Sequence, residues 1–180
     1  FTPGINYKWD SQNRIKLTDM TKIEMENGVG GLAPLNVEIT KDAAKSGNYG
    51  MHVKSNYTGW HNINFGWTTL NSSKSYRIKA SAKLEGADSV YLNDDNTGAK
   101  TITESSDWKD YSFDVSGKSY FILKINCAGK AFDNLYVDDC GIYELDSEGN
   151  EVGNNLLRDG GFEHVYGAKL ETGEIVGNAA

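Results

Sequence analysis

The segment Ser75–Leu84 alternates without a break, with Tyr76, Ile78, Ala80, Ala82 and Leu84 on one side and Arg77, Lys79, Ser81 and Lys83 on the other. A period of two is the mark of a β-strand with one buried face. A helix would scatter the same apolar residues around its circumference. Asp110–Val115 repeats the pattern, and Tyr120–Ile125 follows it less strictly. Further strands are expected at Thr21–Glu26, Asn36–Thr40, Gly50–Ser55, Asn62–Phe65, Ser89–Leu92 and Leu135–Leu145. Turn clusters separate them at Ser46–Asn48, Asn71–Lys74, Asp94–Gly98, Ser116–Lys118 and Ala128–Lys130. No segment carries a sustained helical period, although Lys41–Lys45 has room for one turn. The chain has only two prolines and 20 glycines in 180 residues. About nine short strands with regular turns predict an all-β fold, an antiparallel β-sandwich.

The charge balance excludes some partners. Net charge is −7, with 25 acidic against 18 basic residues. Nucleic acid and anionic membrane surfaces need a clustered basic face, and none is visible. No apolar run reaches the roughly 20 residues of a membrane span. Cys127 and Cys140 are too few for a disulfide scaffold and lack metal-site spacing. They either pair or serve as small core residues.

Lys54–Trp67 has a different character. It places Tyr57, Trp60, Phe65 and Trp67 among Asn, Ser, Thr, His and Gly, with Lys54 its one charge. A core strand would carry Val, Ile and Leu, and a solvated loop would avoid two tryptophans. Flat rings beside short amide and hydroxyl side chains suit a ligand with an apolar face and a hydroxyl-rich edge, which is what a sugar ring offers. The competing use of such rings is burial in the core, where most tryptophans of small domains lie.

Several strings resemble a known family. Ala43–Val53 is similar to the "sGkySLkV" strand of non-catalytic carbohydrate-binding modules, and the Trp60 segment follows at the family's spacing. Lys74–Ala82 is similar to "G-x-x-Y-x-x-S-x-x-V". Trp108–Phe113 and Asn134–Ile142, the latter similar to "f-Y-i-D-D-V-x-i", complete the order. The nearest groups are families four, nine, sixteen and twenty-two, attached to xylanases, glucanases and other polysaccharide-degrading proteins. The resemblance covers roughly residues 20–145, placing one module at 18–145. Residues 1–17 carry no pattern and are expected to be a linker or a strand lent to a neighbour. Asn155–Glu163 resembles the family's opening strand, "N-L-L-x-N-G-G-F-E", so 146–180 is expected to be a linker and the first strand of a second module. The first module's own opening, Lys22–Gly28, departs from that motif.

The resemblance implies a jelly roll, a sugar site and no catalysis. It implies an extracellular, bacterial module of a larger protein, holding an enzyme or cell near xylan, β-glucan or starch-type α-glucan. An adhesion or surface-layer sandwich that binds protein is the alternative. Trp60 falls where the family places a sugar-stacking ring, and Tyr136 occupies another such position. Trp67, Tyr91, Tyr57, His61 and Asn62 are the secondary candidates, with Asn64 beside them. Trp108, by contrast, is expected to be a packing residue, and Trp9 has no assigned place. The resemblance also implies a structural calcium between the first and last strands. Glu24 and Glu26 are two apart, so a strand would place both carboxylates on one side. Asp138 would complete an oxygen site if the terminal strands pair, or Asp139 if the strand is bulged. A solvated acidic face is the plainer use of such a pair. No nucleophile relay, glycine-rich phosphate loop or evident carboxylate pair points to an enzyme.

Overall fold

The computed structural model describes residues 23–27, 35–59, 61–94, 98–157 and 160–163. Among the described residues nine strands are formed: β1 (Ile23–Asn27), β2 (Leu35–Thr40), β3 (Gly50–Ser55), β4 (His61–Thr69), β5 (Ser75–Asp94), β6 (Gly98–Ser116), β7 (Tyr120–Asn126), β8 (Phe132–Leu145) and β9 (Glu151–Val152). Every pairing is antiparallel, in the order β1-β4-β7-β5-β8-β3-β2, with β6 on β5 and β9 on β8. Lys41–Ala43 makes a single 3-10 turn where one helical turn was expected.

β5 turns this ladder into two layers. Its first part, Ser75–Glu85, pairs with β8, and Tyr91 and Leu92 pair with β7. The register breaks between Ala82 and Ser89, where the strand crosses from one layer to the other. Gly86 lies in that break at φ 86°, and a Cβ there would meet the Asp133 backbone nitrogen at 2.7 Å. Only glycine fits. The inward row expected from the alternation is buried throughout, from Tyr76 through Ile78, Ala80 and Ala82 to Leu84, and continues in Val90 and Leu92. Met51, Val53, Ile63, Leu123, Ile125, Leu135, Val137 and Ile142 meet it from both layers. Cys127 and Cys140 are unpaired and buried in this core.

The C-terminal segment belongs to the same core. Asn155, read as the start of a second module, is clamped to β8: its Oδ1 accepts from Ile142 N at 3.0 Å and its Nδ2 donates to Cys140 O at 2.9 Å. Leu156 N donates to Ile142 O at 2.8 Å, and Cys140 N donates to Gly160 O at 2.9 Å. Leu157 and Phe162 are buried among the core residues. The described part of 146–163 is thus neither linker nor a separate module. It closes this one, because Leu157 and Phe162 have apolar surface to bury and β8 offers free backbone groups beside it. Residues 1–22 and 164–180 lie outside the described residues.

Candidate functional site

On the β1-β4-β7 layer, strand registers align a row of polar residues. Glu26 stands opposite Asn62, Asn62 opposite Asn126, Asn126 opposite Tyr91, and Tyr91 opposite Thr101. Directly paired residues share a sheet face. This is the face away from Ile63, Ile125, Leu92 and Ile102, all fully buried beneath it. Asn126 and Tyr91 are half-buried and Thr101 is exposed. Asn126 Oδ1 accepts from Ala128 N at 2.9 Å, fixing the turn beyond it.

Asn62 is different. Only 5% of it is exposed, and its Oδ1 has no hydrogen-bond donor. A buried carbonyl oxygen without a donor costs on the order of 1–3 kcal/mol, so proteins seldom leave one without a use.

The Tyr57–Gly59 loop borders this row. Gly129, two residues after the Asn126-anchored Ala128 turn begins, lies against the Thr58 carbonyl. Tyr57 itself is half-buried, and its phenol fills the space a side chain at Gly59 would need, 2.2 Å from that Cβ position. Trp67 stands on β4 opposite Ile122, and His61 opposite Asn27. Their side chains, like those of Asn64 and Phe65, lie outside the described residues, as does Trp60 altogether. Of the described candidates, Asn62 and Tyr91 thus lie in one row of one layer, and Tyr57 is on the loop whose Thr58 carbonyl faces Gly129.

Tyr136 does not join them. It sits on β8 in the other layer, between His52 of β3 and Lys83 of β5. The His52 ring stacks on it at 4.6 Å and 9°, and the Lys83 ammonium lies 4.7 Å from its centroid. β3 and β5 flank β8 on opposite sides, so both faces of the phenol ring are taken. A sugar needs an open face, so the expected stacking role for Tyr136 is corrected. Burial is the main reason its hydroxyl titrates above the usual range, with the Glu85 and Asp42 charges adding to the rise. His52 Nε2 and Asn134 Oδ1 are 2.8 Å apart, and Asn134 Nδ2 donates to Glu85 at 2.9 Å. Lys83 also lies 5.0 Å from the Trp108 ring, so Trp108 packs in this laminated row.

Of the expected metal set, only the Asp138 side chain lies within the described residues. β1, with Glu24 and Glu26, pairs with β4, whereas Asp138 lies on β8 between β3 and β5. The terminal strands do not meet, and among the described residues no three His, Cys, Asp or Glu side chains converge on one cation position. Asp138 is fully buried and bonded otherwise: its Oδ2 accepts from Lys45 N at 2.7 Å and Ser46 N at 3.1 Å, and its Oδ1 from Asp139 N at 2.7 Å. β8 does carry a bulge, with Asp139 and Cys140 opposing Ala80 and Asp139 at φ 50°. Asp139 accepts from the Ser46 hydroxyl, and the Lys45 ammonium stands 3.7 Å away. Glu163, which the sequence reading passed over, accepts from Asn48 N at 2.9 Å and Tyr49 N at 3.1 Å. Backbone N–H groups of residues 45–49 thus answer these carboxylates.

Burial pushes the Asp138 carboxyl above the usual carboxylate range, outweighing its N–H donors, and the neighbouring Asp139 charge adds to the rise. The folded protein therefore holds a proton there at a pH where the unfolded chain has released it. This group favours folding below its unfolded value of about 4, and that advantage is lost as pH rises through the folded value. Denaturant titrations across the acid range should show Asp138→Asn lacking this contribution while the rest of the pH profile is retained.

Among solved structures, one described as "CBM4 structure and function" superposes with a TM-score of 0.54 at 15% identity, covering 74% of this chain and 93% of that one. The chain has the fold of a carbohydrate-binding module. Such modules recur among the similar structures: the CBM22-1 xylan-binding domain of Paenibacillus barcinonensis Xyn10C covers 97% of its own length and 78% of this chain, at 13% identity and a TM-score of 0.48. The enzymatically active domain of bacteriophage CBA120 tailspike protein 4 also matches, at 10% identity and a TM-score of 0.53, with 76% of this chain on 21% of that one. No protein-family model and no curated protein matches the chain. The carbohydrate-binding-module fold agrees with the antiparallel β-sandwich expected from the strand pattern and with the jelly roll that the resemblance implied.

Proposed function

We infer that this module binds a polysaccharide without cleaving it, through the β1-β4-β7 face and the loop at its end. The observation that carries this reading is the buried, donorless Asn62 carbonyl in a row with Asn126 and Tyr91. A sugar hydroxyl would donate to Asn62 while Tyr91, and the Trp60 and Trp67 of the same segment, offer ring faces to its C–H groups. The fold shared with carbohydrate-binding modules supports the reading. Xylan, β-glucan or starch-type α-glucan is the expected ligand class, and the role is targeting of an extracellular, multi-module protein to that polymer.

Affinity electrophoresis in gels containing xylan, barley β-glucan, starch or mannan tests this. Retardation on at least one polymer is expected, with Tyr91→Ala and Trp60→Ala each weakening it about tenfold, in line with the cost of losing an aromatic contact. Release of reducing sugar during incubation would make the protein an enzyme instead. No retardation on any glycan would return the adhesion reading. Against adhesion, the exposed large apolar side chains among the described residues are Tyr120, Val152 and Leu156, on separate elements instead of in one broad patch.

A further inference from the structure

We propose that the same face continues along β7 into a second subsite, formed by Tyr120 and Lys118, that takes a negatively charged sugar, a hexuronate carried by the bound polysaccharide. This rests on the polysaccharide-binding reading above. Tyr120, Ile122, Lys124 and Asn126 alternate on one side of β7, opposite the buried Phe121, Leu123 and Ile125. Asn126 belongs to the Asn62 row, and Ile122 stands opposite Trp67. Six residues of strand place Tyr120 about 20 Å from that row, a distance several sugar units would span.

Tyr120 is 62% exposed, the most open large apolar side chain among the described residues. An aromatic ring left in water at the end of a strand has a face to offer. It lines a cavity of about 350 Å³ with Gly117, Lys118, Ser119, Ile122 and Lys124. Among the described residues, no carboxylate lines that cavity. Three other cavities of this protein each carry acidic residues: Asp110 and Asp139 in one, Asp114 and Glu151 in the next, Asp114 and Asp146 in the third. The turn leading into it bends at Gly117, φ 68°, with open space around its Cα, so the approach is clear.

The chemistry of the Tyr120 ring beside the Lys118 ammonium matches a pyranose that bears a carboxylate. The apolar sugar face lies on Tyr120, and the carboxylate pairs with Lys118. Overall charge does not supply this preference. At −7 the protein as a whole repels a polyanion. Attraction over a Debye length of about 8 Å must come from Lys118.

The test compares native glucuronoxylan with the same polymer after reduction of its carboxyl groups to alcohols, in affinity gels at low and high salt. The native polymer should bind about threefold more tightly, the order of one solvent-exposed charge pair. High salt should erase the difference, and so should Lys118→Gln. Tyr120→Ala should weaken both polymers. Equal binding of the two polymers by the wild type, or a difference that survives Lys118→Gln, overturns the proposal. If the protein instead binds neutral β-glucan, loses it on Tyr91→Ala and is indifferent to carboxyl reduction, polysaccharide binding stands and only the uronate subsite falls. Failure to bind any polymer sinks both.

Discussion

Phe162→Ala should lower the stability of the module by about 3–5 kcal/mol, the usual cost of truncating a buried phenylalanine. Phe162 is 6% exposed and sits in the same cluster as Leu157, Cys140 and Ile142. Were residues 155–163 the first strand of a separate module, the substitution would leave the melting of the 18–145 sandwich unchanged. Denaturant titration distinguishes the two outcomes directly, since a loss of this size is a large share of a domain's total stability. Ending the chain after Asn154 should be worse still. It would remove both apolar side chains and leave Ile142 N without its Asn155 acceptor, Cys140 N without Gly160 O, and the Asn48 and Tyr49 amides without Glu163. The segment resembling a family's opening strand thus acts here as a closing one.

The second large effect concerns Asn62. Replacing it with leucine, of similar volume, removes a buried oxygen that has no partner and extends the apolar surface above the core. The free protein should gain roughly 1–2 kcal/mol of stability. Sugar binding, measured by calorimetry on the polymer that retards the wild type, should fall at least tenfold, because the hydroxyl loses its acceptor and meets a methyl group. Opposite signs on the two readouts are the signature of a polar group retained for a ligand. A variant that is both less stable and unchanged in binding would show Asn62 to be a packing residue, and the site would have to be sought elsewhere.

Most of the fold could be read from the residues because alternation is a local property. The inward row of β5 follows from Tyr76, Ile78, Ala80, Ala82 and Leu84 alone, and each is buried. What failed was local too. Glu85–Asp88, with its glycine, reads as a turn, so 75–84 and 89–92 were expected as two strands when they form one. In the first part of β6, only Ile102 of residues 99–109 is buried, and the pattern carries no buried stripe to recognise.

The candidate site was legible in part. Asn62 and Tyr91 share one row across neighbouring strands, Asn62 on β4 and Tyr91 on a strand two places away. Tyr136 was misjudged because the state of an aromatic ring depends on its cross-strand neighbours. Nothing in Asn134–Ile142 announces that His52 and Lys83 will enclose it. Tyr120 was counted as an ordinary strand residue, and only its solvent exposure sets it apart. The order that places β1 on β4 and β8 between β3 and β5 was not legible either, because strand order, unlike strand identity, is set by contacts far apart in sequence.

β5 also has a mechanical meaning. Its twenty residues run through both layers, laddered to β6 for most of that length and to β8 for half of it. Under the proposed polymer binding, a load on the module would enter near Tyr91. Pulled along its own axis, β5 presents bonds that lie crosswise to the load and must rupture together, not peel apart one at a time. The strand that joins the layers is thus the part of the molecule best placed to act as an anchor cable under flow.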